Sequence, residues 1–255
     1  MESTKRFSSR VDYYVRSRPR YPAAVVQFCR EQLGLRAEHA VADVGSGTGF
    51  LSQVFLDNGN IVYGVEPNDE MRRAGEQFLA GRSNFHSVNG TAEATELAEG
   101  SVYLVTAGQA FHWFDPVQAR AEFARILSPE GWVALVWNER REARSPFAAA
   151  YQQIVQRFSN DQKVDHHKSV TARDSGVFEK FFAPGGFDVV EFENNQVLDE
   201  AGVRDRVLSS SYMPLAGDPK HEPMLAAVKE AFEEHQRDGT VVIEYATRVY
   251  YGQLG

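Results

Sequence analysis

The sequence predicts an α/β fold, doubly wound around a mainly parallel sheet of seven strands. Short apolar runs alternate with amphipathic helical stretches through the first half of the chain, the cadence of βαβ units. Those runs are apolar throughout rather than alternating, as strands covered on both faces require. The first run ends in a glycine-rich turn that opens a helix, where open α/β sheets place their ligands.

In order, residues 40–44 form a β-branched strand, and 50–58 a helix with Leu51, Val54 and Phe55 on one face. A second strand covers 61–65 and stops at Pro67, and a helix follows over 69–80. Strands are predicted at 85–88 and 103–107, a helix at 116–127, and a fifth strand at 132–137 after the turn Ser128-Pro129-Glu130-Gly131. Ser145-Pro146 opens a helix with a cap residue and a proline at the first helical position. Later come strands at 187–197 and 240–250, with helices at about 200–209 and 222–236 between them. These last strands are expected as an antiparallel edge hairpin with a helical connection. The expected organisation is an arm and first helix over the site (1–35), a ligand-binding core (36–138), a helical cap insertion (139–186), and a C-terminal part completing the sheet (187–255).

The 255 residues carry a net charge of −8, which disfavours general nucleic-acid binding. The first twenty residues run against that balance, with six basic groups against two acids. The longest clean apolar run, residues 132–137, is far short of the roughly 20 residues that cross a bilayer. The N-terminus has no apolar signal-peptide core. A cytoplasmic protein that is a monomer or homodimer, with no membrane or nucleic-acid partner, is the expectation. Cys29, the single cysteine, makes neither an internal disulfide nor a cysteine metal cluster and reads as a buried small residue. Asp165-His166-His167 lacks further ligands at a recognisable spacing and reads as a surface loop, so no metal site is expected.

Val41-Ala42-Asp43-Val44-Gly45-Ser46-Gly47-Thr48-Gly49-Phe50 is the sharpest signal in the chain. Glycines let a backbone approach a ligand and adopt positive φ. Glu66 ends the second strand, where a carboxylate can accept both hydroxyls of a ribose. A dinucleotide site wants a third glycine at the sixth position of the loop, and Phe50 stands there instead. Asp43 would repel a pyrophosphate but suits a cationic ligand.

Four stretches taken together resemble class I S-adenosylmethionine-dependent methyltransferases, and most closely a small-molecule branch similar to trans-aconitate methyltransferase-like proteins. They are the loop 43–49, Glu66-Pro67, Gly90-Thr91-Ala92-Glu93, and Gln109-Ala110-Phe111-His112-Trp113-Phe114-Asp115. The opening around Tyr14 and Arg18-Pro19-Arg20-Tyr21-Pro22 is similar to the same branch. The resemblance implies a Rossmann-like methyltransferase fold binding S-adenosylmethionine and releasing S-adenosylhomocysteine. It implies that Gly45, Ser46, Gly47, Thr48 and Gly49 wrap the methionine part, with Asp43 beside the ammonium. Glu66 would hold the ribose, Pro67 and Met71 would flank the adenine, and Thr91 and Ala92 would meet its edge. Ala107, Gly108 and Gln109 would end the fourth strand beside the sulfonium. Thr91 stands where the family often has Asp, and Tyr103 where many relatives have an acid.

Methyl transfer from a sulfonium is an in-line displacement with a good leaving group, so positioning carries much of the catalysis. His112 is the candidate general base or pocket residue, needed as a base only if the acceptor carries a proton. Tyr13, Tyr14, Arg18, Tyr21 and Trp113 are candidate substrate-binding residues, with Arg18 suited to clamp an acidic group. The expected activity is methyl transfer to a small molecule, at a carboxylate or hydroxyl. A dinucleotide oxidoreductase and a non-catalytic S-adenosylmethionine-binding protein are the alternatives.

Overall fold

The computed structural model describes residues 10–141, 144–160 and 175–255. Seven strands form one sheet: β1 (Ala40–Val44), β2 (Ile61–Val65), β3 (Phe85–Val88), β4 (Val102–Gly108), β5 (Leu127–Arg140), β6 (Asp188–Leu198) and β7 (Val241–Gly252). Their order is β3-β2-β1-β4-β5-β7-β6. The strands from β3 to β5 pair in parallel. β7 runs antiparallel to both neighbours, so it lies reversed between β5 and the edge strand β6. The expected late hairpin is thus present, and its reversed strand is the inner one.

The helices are α1 (Val11–Ser17), α2 (Ala24–Gln32), α3 (Phe50–Asp57), α4 (Asp69–Phe78), α5 (Pro116–Ile126), α6 (Pro146–Phe158), α7 (Ser175–Phe181), α8 (Glu200–Leu208) and α9 (His221–His235). Their starts follow local chemistry. Asn68 caps α4 by accepting from the backbone N–H of Glu70 and Met71, and Asp115 caps α5 ahead of Pro116. Ser145 accepts from the Ala148 N–H ahead of Pro146. Each cap satisfies N–H groups that have no partner within the helix.

Along the central strands successive side chains enter opposite cores. Ala42, Val105, Val133 and Leu135 join Phe123 of α5 and Phe178 of α7 on one face. Val41, Leu104, Ala134 and Val136 join Val25 and Cys29 of α2 and Leu51 and Phe55 of α3 on the other. A third core unites α6, α8 and α9 with Val241, Ile243 and Tyr245 at the start of β7. The described parts of 139–186 therefore feed two cores: α6 joins α8 and α9 in a helical cluster, termed the cap, while α7 packs against α5.

The turn expected at 128–131 is absorbed into a lengthened β5. Val102 pairs with Leu127 and Leu104 with Trp132, so two steps on β4 face five on β5, a bulge that keeps the ladder on both sides. The arm also holds a helix that its periodicity did not reveal, α1, while α2 and Cys29 cover the sheet instead of the site.

Candidate functional site

The carboxyl ends of β1, β2 and β4 converge on the glycine loop. Gly45, Gly47 and Gly49 have φ of +68°, +55° and +81°, the region only glycine adopts freely. A Cβ on Gly45 would lie 2.6 Å from the Ala110 Cβ, so this turn also requires glycine for space. The N–H groups of Gly45 and Ser46 both donate to the Val65 carbonyl at 2.8 and 3.1 Å, tying the loop to the end of β2.

Glu66 sits at that end, 8% exposed. Its carboxylate accepts from the Gly47 N–H and the Asn68 N–H, each at 2.9 Å. Burial raises its pKa, against the pull of those two donors. Met71 lies against the loop, its Cε 3.3 Å from where a Cβ of Gly47 would stand. Pro67 joins Glu66 to the capped start of α4.

Asp43 is fully buried on β1. It accepts from Ser52 Oγ at 2.6 Å, while its Oδ1 and the buried Thr48 Oγ1 lack hydrogen-bond partners among the described residues. Burial pushes the Asp43 carboxyl up to about 7. An enclosed acid with one oxygen unsatisfied suits a donor-bearing cation.

Gly108 ends β4, and a Cβ there would lie 2.5 Å from Tyr21 Oη, so the arm's phenol rests directly on the strand end. Ala107 is buried just before it. Gln109 adopts φ +58° and donates to the Asn138 carbonyl at 3.0 Å. Such a conformation in a residue other than glycine is costly and clusters at functional sites. His112 lies in the short helical turn 111–113, its ring 4.7 Å from that of Trp113. Burial lowers its pKa to about 4, so it is neutral at physiological pH. Trp113 is 42% exposed, at the rim.

Thr91 is exposed, and its hydroxyl accepts from the Ala94 N–H at 3.2 Å within a local turn. Ala92 is buried beside it. Glu93 starts no helix and instead accepts from the Asp115 N–H at 2.9 Å.

The arm joins the two halves of the molecule. The Arg20 guanidinium stacks 3.5 Å from the Phe50 ring at the start of α3, and the Tyr14 ring lies 6.0 Å from the same phenylalanine. Tyr13 packs against the cap core. Arg18 donates from Nη2 to the Ser209 carbonyl at 3.0 Å, and its guanidinium lies over the Tyr14 ring. Sequence reasoning missed Arg10, whose guanidinium donates to the carbonyls of Leu208, Ser210 and Met213 at 2.6–2.7 Å. It also missed Asn138, which donates to the Arg20 carbonyl and accepts from Thr247 Oγ1 and Asn194 Nδ2. No local pattern marks either residue, because their partners are up to 203 positions away.

Among the described residues no group of three or more His, Cys, Asp or Glu is arranged to hold a metal ion. Asp165-His166-His167 lies outside those residues. No described helix is long and apolar enough to cross a membrane.

Residues 42–135 match the methyltransferase domain family model. That match covers less than half of the chain. The chain is 38% identical over 136 residues to an uncharacterized methyltransferase of Mycobacterium tuberculosis, covering 53% of each chain. It is 34% identical over 116 residues to an uncharacterized methyltransferase of Bacillus subtilis, covering 42% of this chain and 46% of that one. The chain thus spans about half the length of the curated relatives it matches. A solved structure from Anaeromyxobacter dehalogenans, provisionally named a type II methyltransferase, superposes with a TM-score of 0.68 at 20% identity, over 93% of this chain and 98% of the other. The B. subtilis YcgJ structure superposes with a TM-score of 0.54 at 18% identity, over 91% and 98%. The sheet is the Rossmann-like methyltransferase sheet expected from the sequence.

The residues at the strand ends fit S-adenosylmethionine. The glycine loop lets a ligand approach the backbone, Glu66 holds a buried carboxylate beside it at the end of β2, and the Asp43 oxygen without a partner among the described residues suits an ammonium.

Proposed function

We propose that the protein is an S-adenosylmethionine-dependent methyltransferase acting on a small molecule, at a carboxylate or hydroxyl. One juxtaposition carries the reading. Within the methyltransferase domain, Glu66 holds the Gly47 N–H of a left-handed glycine loop while the enclosed Asp43 keeps an unsatisfied oxygen beneath it. A pyrophosphate would meet two carboxylates there, which argues against the dinucleotide alternative.

In this reading the loop 45–49 wraps the methionine part, with Asp43 opposing the ammonium. Glu66 orients the ribose, and its existing bonds to Gly47 and Asn68 hold the carboxylate in place beforehand. Pro67 and Met71 flank the adenine. Ala92 meets the edge of the adenine, and Thr91 takes part through the turn its hydroxyl stabilises. The bound cofactor supplies a methyl group on a sulfonium, which leaves as a neutral thioether without a proton.

Ala107, Gly108 and Gln109 line the approach to that methyl. Tyr21, Tyr14 and Arg18 close over it from the arm, Tyr13 anchors the arm to the cap, and Trp113 forms the rim. Holding the acceptor close and collinear is worth up to ~7–11 kcal/mol in favourable intramolecular models. With its pKa near 4, His112 is a weak proton acceptor, so it serves better as a neutral hydrogen-bonding wall than as a strong base. A carboxylate acceptor, already ionised, needs no base.

Calorimetry with S-adenosylhomocysteine, with NAD and NADP as controls, tests the cofactor. Binding of S-adenosylhomocysteine alone is expected, and binding of a dinucleotide alone would overturn the reading. Transfer of labelled methyl to members of a carboxylate and hydroxyl panel is expected next. Tight cofactor binding with no transfer to any acceptor would favour a non-catalytic binding protein.

A further inference from the structure

Three arginines of the cap, Arg18, Arg140 and Arg206, form no ion pair among the described residues. Arg206 on α8 is 5% exposed. Its contacts are neutral: Tyr245 Oη at 3.2 Å from Nε, and Ser209 Oγ and Ser210 Oγ at 3.4 Å from Nη1. Among the described residues neither Arg206 nor Arg18 forms a salt bridge. Arg140 donates to Gln152 Oε1 at 3.1 Å, and its guanidinium lies 5.3 Å from the Tyr151 ring.

Three carboxylates adjacent in sequence to this cluster each pair with an arginine outside it, although Glu139 Oε1 and Asp205 Oδ1 keep no hydrogen-bond partner among the described residues. Asp205 pairs with Arg16 at 2.7 Å, Glu139 with Arg248 at 2.8 Å, and Glu244 with Arg144 at 3.6 Å. Two buried donors in the cluster, Arg18 Nε and Tyr151 Oη, have no hydrogen-bond acceptor among the described residues. Tyr151 is 2% exposed. Leaving one guanidinium N–H and a phenol O–H enclosed without acceptors is costly, and a bound anion removes that cost.

The Tyr212 phenol senses the same field. Burial alone would raise its pKa, yet Arg140, Arg18 and Arg206 outweigh burial and lower it. The cluster also adjoins the cofactor half. Arg18 stacks on Tyr14 of the arm, whose Tyr21 rests on Gly108 at the end of β4.

We propose that Arg206, Arg18 and Arg140, with Tyr151 Oη, form a buried carboxylate-binding subsite in the cap that anchors the acceptor substrate. This inference deepens the methyl-transfer reading and rests on it. The anchored carboxylate is bound by the arginine forks and the phenol, while the arm carries the rest of the substrate toward β4. Planar forks match the two oxygens of a carboxylate. Two unsatisfied donors match them in number as well.

Succinate is the probe, titrated into the full chain at constant ionic strength with and without S-adenosylhomocysteine, and followed by thermal shift and calorimetry. Inorganic phosphate is the comparison anion. Saturable stabilisation by succinate, stronger than by phosphate, is expected. Tyr151→Phe keeps the ring and removes one donor, and it should weaken succinate about tenfold while leaving S-adenosylhomocysteine affinity unchanged. Arg206→Lys keeps the charge and loses the fork, and should weaken succinate at least as much. No response to succinate in a protein that binds S-adenosylhomocysteine would overturn the subsite and leave the methyl-transfer reading standing. So would phosphate binding more tightly than succinate, or a Tyr151→Phe variant that binds succinate as the wild type does. Succinate binding as expected, in a protein that fails to bind S-adenosylhomocysteine, would overturn the methyl-transfer reading and keep the subsite.

Discussion

The cofactor half and the cap half of this molecule are built by opposite means. In the cofactor half each functional group sits where a strand ends, and its partners are near in sequence: Gly47 with Glu66, Ser52 with Asp43, Asn68 with Glu66. In the cap half the decisive contacts join the arm to segments almost two hundred residues later. Arg10 holds the carbonyls of 208, 210 and 213, and the Ser17 carbonyl accepts from Gln196. The first half is a frame set by short-range contacts. The second takes its shape from many distant segments meeting.

That contrast can be broken most forcefully at Arg10. Replacing it by alanine leaves three buried carbonyls without their charged donor and should cost about 3 kcal/mol or more. The melting temperature should fall by roughly 6–12 °C, with cleavage by trypsin in the arm appearing at lower temperature. An unchanged melting curve would show that the arm does not hold the halves together.

Next in size is Glu66→Ala. Loss of the ribose partner should weaken S-adenosylhomocysteine by about 1.5–3 kcal/mol in calorimetry, with little effect on succinate. Equal weakening of both ligands would mean that the halves are not separable in function.

Asp43 sharpens the comparison through pH. Its folded pKa, about 7, stands above the ordinary carboxylate value of 3.8, so the native state holds this proton more tightly than the unfolded chain. Its stabilising contribution is therefore full below pH 4 and is lost as pH rises toward 7. The slope is at most ~1.4 kcal/mol per pH unit. Asp43→Asn should flatten that part of the stability profile between pH 4 and 7, read by denaturant melts at each pH. Ionised Asp43 should also favour the ammonium, so S-adenosylhomocysteine binding should depend less on pH in the variant.

The smallest effect is expected at His112. His112→Ala should change S-adenosylhomocysteine affinity by less than about threefold, since a neutral imidazole adds no charge to the pocket. A large loss of turnover only with hydroxyl acceptors would restore its role as a base.

How much was legible follows the same division. The placement of Asp43, the glycine loop and Glu66 at the ends of β1 and β2 was legible because a strand-turn-helix needs glycine at fixed positions. The turn at 128–131 misled because β-pairing on both sides carried the strand through it as a bulge. The arm's α1 escaped because its seven residues give too short a window for helical periodicity.

By itself, the sequence determined the alternation of strands and helices, the parallel order implied by it, and the residues at the strand ends. Those are consequences of local propensity and of apolar periods of two and 3.6 residues. Only the tertiary structure decided that β7 runs backwards inside the sheet, that α6 and α7 enter different cores, and that Arg18, Arg140 and Arg206 gather in the cap. Such contacts depend on loop closure over long separations, and their energy resides in burial and pairing that no short window of sequence contains.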